Sequence, residues 1–259
     1  MSEYLISRKR GFEFSDLEHN ALGILIIKES IDTVSSTVTK LLEGKLITDI
    51  LYREYNIDYL SGLIVFQYQE HDWTIIISFD LCADKTVSEI SQLLQTSCIY
   101  LIHEDTSSCS EYRLYDKGIC IEEFCWGIIY TDEVWEVSSK DFHAFALERK
   151  AQGNPLPNGW NPKAWDIYCF DKYDRSYQFR SNIHTATEKE VKQVDEFLNR
   201  LFSNLGVWLP DWEYLPPIMG QSLKESKIKP EDFVRVDLIS NAKCVNEVAN
   251  NLENGEFKF

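Results

Sequence analysis

The apolar residues of this 259-residue chain fall into short runs whose period changes along its length. Two of them, Leu63-Ile64-Val65-Phe66 and Trp73-Thr74-Ile75-Ile76-Ile77, are separated by the polar residues 67–72. Short continuous apolar runs bounded by turn residues read as buried strands, so this pair predicts a hairpin over 63–79. Residues 85–95 follow with Val87, Ile90, Leu93 and Leu94 at helical spacing, and Asp84 stands at the N-cap position. Three more strand-like runs, at 98–103, 112–115 and 119–126, complete a hairpin, helix and antiparallel meander between residues 62 and 127. Asp116-Lys117-Gly118 predicts a three-residue connection between the last two strands.

The flanks carry the same vocabulary. Residues 22–27 read as a buried strand. Ser30 caps a helix over 31–43 with the stripe Ile31, Val34, Val38, Leu41 and Leu42, and Gly44 is its predicted stop. Residues 45–60 are mixed and predict a short strand or irregular segment. Residues 127–150 read as irregular with a helix at 140–150, and 153–162, rich in Gly, Pro and Asn, are the densest loop signal. Short strands at 165–170 and 177–179 precede the capping box Thr187-Glu188-Lys189-Glu190, which opens a helix running to 205. Gly206 ends that helix, and 234–238 alternate as a strand.

These elements predict an α+β fold, one mainly antiparallel sheet with the helices at 31–43, 85–95 and 188–205 covering one face. Glu111-Tyr112-Arg113-Leu114, with one polar side, fits a sheet half open to water. The expected organisation is a single extended domain over 1–259, divisible into a core unit 1–127 and a second hairpin-helix unit 128–259. Each half contains two strands followed by a helix, which raises a duplication, although the residue identities do not align.

Composition narrows the function classes. The formal net charge of −16 disfavours binding to nucleic-acid phosphates or anionic lipid, and leaves a basic protein as the natural charged partner. The longest apolar run near the N-terminus spans only residues 21–27, far short of the roughly 20 residues of a membrane span, and the basic start lacks a signal-peptide core. A cytoplasmic location is expected. The seven cysteines, Cys82, Cys98, Cys109, Cys120, Cys125, Cys169 and Cys244, have no disulfide or zinc spacing. Strand parity sets Cys120 and Cys125 on opposite faces, and likewise Cys98 and His103, so neither a metal site nor a Cys–His dyad is expected. No cofactor motif is present in the chain.

Two polar connections carry the candidate chemistry. In the first, His71 beside Asp72 suits a general base, with Gln67 and Trp73 as ligand contacts; a solvated turn anchored by Trp73 is the simpler account. In the second, Glu104, Asp105, Thr106 and Ser107, followed by Ser108, offer oxygen ligands for a hard cation, yet they lack the spacing and Gly of metal loops and fit a hydrogen-bonded turn better. A third feature is a surface. Residues 104–136 hold nine acids against two bases, interleaved with Tyr112, Tyr115, Phe124, Trp126 and Trp135. An acidic rim with aromatic anchors such as Tyr112 and Trp126 suits a basic partner, and a solvated sheet face gives the same composition.

The pieces Phe66-Gln67, His71-Asp72-Trp73-Thr74, Leu94-Gln95-Thr96, Ile99-Tyr100 and Glu104-Asp105-Thr106-Ser107, with Tyr112, Gly118 and Glu122, resemble an uncharacterised group of bacterial conserved hypothetical proteins. Val194-Asp195-Glu196-Phe197 and Trp208-Leu209-Pro210 extend the likeness thinly into the second half. The resemblance implies a bacterial source and brings no known activity. The leading expectation is a non-catalytic cytoplasmic binding or regulatory protein. Alternatives are a hydrolase or transferase whose 67–73 and 104–108 loops meet, and an acidic neutraliser of a basic toxin.

Overall fold

A computed structural model describes residues 23–50, 62–78, 84–104, 109–127, 165–170, 175–207 and 229–240. The expected helix at 140–150 and the loop at 153–162 lie outside them. The elements are β1 (Gly23–Ile27), α1 (Ile31–Leu41), β2 (Lys45–Ile47), β3 (Gly62–Tyr68), β4 (Thr74–Ser78), α2 (Asp84–Leu94), β5 (Ser97–Glu104), β6 (Cys109–Asp116), β7 (Ile119–Gly127), β8 (Trp165–Phe170), β9 (Ser176–Ser181), α3 (Glu188–Val191), α4 (Val194–Leu205) and β10 (Phe233–Ser240). The fold is α+β. Among the described residues the ten strands form one sheet in the order β2-β10-β3-β4-β1-β5-β6-β7-β9-β8. Every neighbouring pair is antiparallel.

Both faces of this sheet are covered. Ile24, Ile26, Phe66, Ile75, Ile99, Leu101, Tyr112 and Phe124 point to one face, where Val191 of α3 and Phe197, Leu198, Leu201 and Phe202 of α4 meet them. Leu25, Ile27, Val65, Ile76, Cys98 and Tyr100 point to the other, against Ile31, Val34 and Val38 of α1 and Val87 and Ile90 of α2. This corrects the expectation of a single covered face: continuous apolar strands such as Gly23–Ile27 bury both sides and require two layers of helix. Aromatic contacts seat α4, with Phe197 edge-on to Phe124 and Phe179 at centroid distances of 5.0 and 4.9 Å. Leu93, expected in the apolar stripe of α2, stands out at 59% exposure.

Local geometry refines several element ends. The helix over 188–205 is two helices, broken at Gln193, which caps α4, while Gly206 supplies the left-handed stop at φ 68°. Residue Glu43, not Gly44, takes the left-handed conformation after α1, at φ 50°. The β6–β7 connection is a two-residue turn: Asp116 pairs with Ile119, and Lys117 and Gly118 both have positive φ, the type I′ geometry that follows strand twist. A Cβ on Gly118 would also stand 2.8 Å from Gln92 of α2.

A bulge changes which residues share a face of β7. Tyr115 pairs with Cys120 but Leu114 pairs with Glu122, leaving Ile121 as the extra residue. Cys120 therefore lies against the α1–α2 core, and Glu122 joins Phe124 and Trp126 on the α4 face. Cys125 falls on the same face as Cys120, against the parity expectation. Five residues of strand still separate the two thiols by roughly 15 Å, too far for one ion.

The last strand closes the first half of the sheet. β10 lies between β2 and β3, and its Asp237 is fully buried on the α1 face. The carboxylate accepts from Ser35 Oγ at 2.7 Å and from the Asp49 amide at 3.0 Å, and Arg235 binds both its oxygens at 2.8 and 2.9 Å. Arg235 also reaches Asp32 on α1 at 2.6 Å. Replacing Asp237 with Ala leaves the Ser35 and Asp49 donors without their acceptor, and is expected to cost about 3 kcal/mol in urea unfolding. Val234→Ala, at a half-exposed position of the same strand, is the control expected to change little.

Candidate functional site

The first polar connection is built into the core. Gln67 Oε1 accepts from the Ile31 amide at 3.0 Å, satisfying a free donor in the first turn of α1, and its Nε2 donates to the His71 carbonyl at 2.8 Å. Thr74 Oγ1 donates to the Glu29 carbonyl at 2.7 Å. Gln67 thus ties the β3–β4 connection to the helix, and Trp73 is buried at 1% exposure beneath Lys28, whose Nζ lies 5.7 Å from the ring centroid. Neither residue is presented as a ligand contact. His71 is 5% exposed, while its neighbour Asp72 is exposed. Burial holds the His71 imidazole down to about 4 from 6.5, opposed by the Asp72 carboxylate and the Trp73 backbone.

The second connection begins at the other end of the sheet. Ile27 at the end of β1 pairs with both Thr74 and Cys98, so His71 and the start of β5 share one end. β5 then runs from Ser97 to Glu104, which pairs with Cys109 at the far end, roughly 23 Å away at strand rise. The backbone therefore does not bring Glu104 to His71 and Asp72, as joint acid–base work requires. Asp105, Thr106, Ser107 and Ser108 lie outside the described residues.

The aromatic anchors of the expected acidic surface are interior. Tyr112 is fully buried and Trp126 is 8% exposed, stacked on Phe124 at 4.6 Å. The acids of that window whose side chains are described also turn to partners. Glu111 and Glu123 flank Arg113 at 2.6 and 3.4 Å, and Asp116 accepts from Ser97 Oγ at 3.2 Å. Alternation explains both results, since residues 112, 122, 124 and 126 all face α4.

The polar constellation that the fold does assemble centres on Glu122, buried at 0% exposure. Its Oε1 accepts from Tyr112 Oη at 2.9 Å; its Oε2 lies 2.6 Å from both Ser181 Oγ and His184 Nδ1. Ser181 Oγ in turn accepts from the Ile183 and His184 amides at 3.0 and 2.7 Å, which shapes the chain leaving β9. Burial, with the Glu122 charge beside it, pushes the Tyr112 hydroxyl well above its ordinary range, so it remains a donor. His184 keeps 22% of its side chain exposed. Sequence reasoning passed over Ser181 and His184. The available signal was Glu122 itself, a charge two residues from Phe124 on a strand face that must be dry, where a carboxylate needs partners.

Among the described residues no group of three or more His, Cys, Asp or Glu side chains is placed to hold a metal ion. No described helix is long and apolar enough to cross a membrane. No protein-family model, curated protein or solved structure matches the chain.

His71 makes stability depend on pH. Between about 4 and 6.5 the unfolded chain binds a proton that the folded protein refuses, so the contribution is complete above 6.5 and is lost as pH falls toward 4. Urea titrations from pH 7.5 to 4.5 should show this loss, approaching about 3 kcal/mol from this group. The slope between pH 6.5 and 4.5 should flatten in His71→Gln.

Proposed function

We propose that the protein is a non-catalytic binding or regulatory protein of the cytoplasm, which docks a basic protein partner on one end of its sheet. The hairpin–helix–meander unit over 62–127 is the scaffold of this reading. The observation that carries it is the convergence of three segments distant in sequence. Ile31 bonds to Gln67, Gln69 bonds to the Asp232 and Phe233 carbonyls, and Arg235 bonds to Asp32. These contacts gather Glu29, Asp32, Glu70, Asp72 and Glu231 around one edge, with Lys28, Lys229 and Arg235 among them. Asp32 is 79% exposed and Glu70, Asp72 and Glu231 are exposed. At the same end, on the α4 face, the rings of Phe66, Tyr68 and Phe233 pack together, with Tyr68 stacked on Phe233 at 4.9 Å.

The acids at this edge outnumber the bases, in keeping with the overall charge of −16, and complementary charge governs association rate and partner choice. A basic toxin is one member of the partner class. The hydrolase or transferase alternative has less support, because the 67–73 connection joins β3 to β4 at one end of the sheet and Glu104 ends β5 at the other.

Immobilised protein should retain a basic protein from a bacterial extract at low salt and release it as ionic strength rises. The double reversal Glu70→Lys with Asp72→Lys should abolish retention while leaving the unfolding free energy in urea within about 0.5 kcal/mol of wild type, as befits exposed positions. Retention of no basic protein at low salt, or equal retention by the double variant, overturns the proposal. Protection against a basic toxin on co-expression separates neutralisation from other regulatory binding.

A further inference from the structure

The Glu122 constellation contains one polar atom with no structural employment. Ser181 Oγ already accepts from two backbone amides, so its own hydrogen goes to Glu122. Tyr112 donates to the other carboxylate oxygen. An ionised carboxylate has acceptor sites and no donor, and it can take all three contacts only if His184 Nδ1 carries a hydrogen. Every member of the network then has a consistent role. The contact fixes the hydrogen on Nδ1, and in the neutral imidazole Nε2 is then the bare nitrogen. Among the described residues nothing bonds Nε2, and the ring is part-exposed.

Enclosing a carboxylate completely costs several kcal/mol, which its hydrogen bonds must offset. A turn after β9 could be closed by the Ser181 hydroxyl alone, through its two amide bonds. What the buried carboxylate adds is control over which imidazole nitrogen is free and where it points, the role carboxylates play behind histidine bases and metal ligands.

We propose that His184 is a ligand-binding proton acceptor, with Glu122 as its positioning residue. The ligand is a small polar molecule that presents an O–H or N–H group to Nε2. On transfer the proton passes to Nε2, the bonding electron pair stays on the ligand heteroatom, and the imidazolium is opposed by the Glu122 carboxylate at 2.6 Å. This site is separate from the acidic edge. Glu122 pairs with Ser181, at the same end of the sheet as the β3–β4 connection, but six strand positions divide β9 from β3, roughly 29 Å at sheet spacing. The two proposals can therefore fail independently.

The probe is diethyl pyrocarbonate at pH 8, with modification of the His184 peptide followed by mass spectrometry. In that reaction Nε2 attacks a carbonyl, the anhydride C–O bond breaks, monoethyl carbonate departs, and the Nδ1 proton is released to water. Wild type should react at His184 about tenfold faster than Glu122→Gln, the low end of what loss of an orienting carboxylate costs a histidine. Glu70→Lys with Asp72→Lys should react like wild type. Nitrogen-15 NMR of the wild-type protein should show His184 with Nδ1 protonated and Nε2 bare. Equal rates in folded wild type and Glu122→Gln, or a protonated Nε2 at pH 8, overturn the proposal. If Glu122→Gln does not fold, the wild-type tautomer decides alone.

Discussion

Two-sided burial of the central strands is the constraint on which the rest of this structure depends. β1 has no polar face: Ile24 and Ile26 belong to one core, Leu25 and Ile27 to the other. Such a strand is stable only when pairing satisfies both backbone edges and helices shield both sides. β4 and β5 supply the edges, α1 with α2 supplies one cover, and α4 supplies the other. The central position of the first described strand follows, and so does the demand for a C-terminal helix to complete a core laid down largely by the first half.

Of the three fully buried carboxylates among the described residues, Asp232 caps the turn before β10, while Asp237 and Glu122, one on each face, join elements distant in sequence. On the α1 side Asp237 links β10, α1 and the segment after β2 through Arg235, Ser35 and the Asp49 amide. On the α4 side Glu122 links β6, β7 and the exit from β9 through Tyr112, Ser181 and His184. Apolar contacts are non-directional, whereas a carboxylate with three donors accepts only one arrangement of them. The two joints differ in what they hold. Asp237 is enclosed by Ser35, the Asp49 amide and Arg235, whose guanidinium is shared with Asp32, while Glu122 holds an imidazole that still reaches solvent. That difference is why the second joint carries a chemical proposal and the first carries only stability.

The elements were legible because their signals are local. Strand runs, the helical stripe of Val87 and Ile90, the capping box at Thr187 and the stop at Gly206 all act within a few residues, and each is found where its pattern lies. The misreadings came from two sources. Parity counting assumes an unbroken ladder, and the extra residue at Ile121 moved Cys120 onto the face of Cys125. Residue character is also a poor guide to exposure: alternation turns Tyr112 and Trp126 toward α4, and Gln67 and His71 are buried in the connection that Gln67 ties to α1. A polar side chain between buried strands usually answers a backbone donor, as Gln67 does for Ile31.

The sequence by itself determined the α+β class, the antiparallel habit and the positions of most of the described elements, because propensity, capping and periodicity are properties of neighbours along the chain. It could not determine that β10 inserts beside β3, that α4 covers the face opposite α1 and α2, or that the connections at 67–73 and 104–108 leave from opposite ends. Those outcomes depend on strand order and direction, which are settled by burying two apolar faces at once. The Glu122–His184 pair belongs to the same category. Its members stand sixty-two positions apart, and only the pairing of β7 with β9 brings the acid on the inward face of β7 to the histidine that answers it.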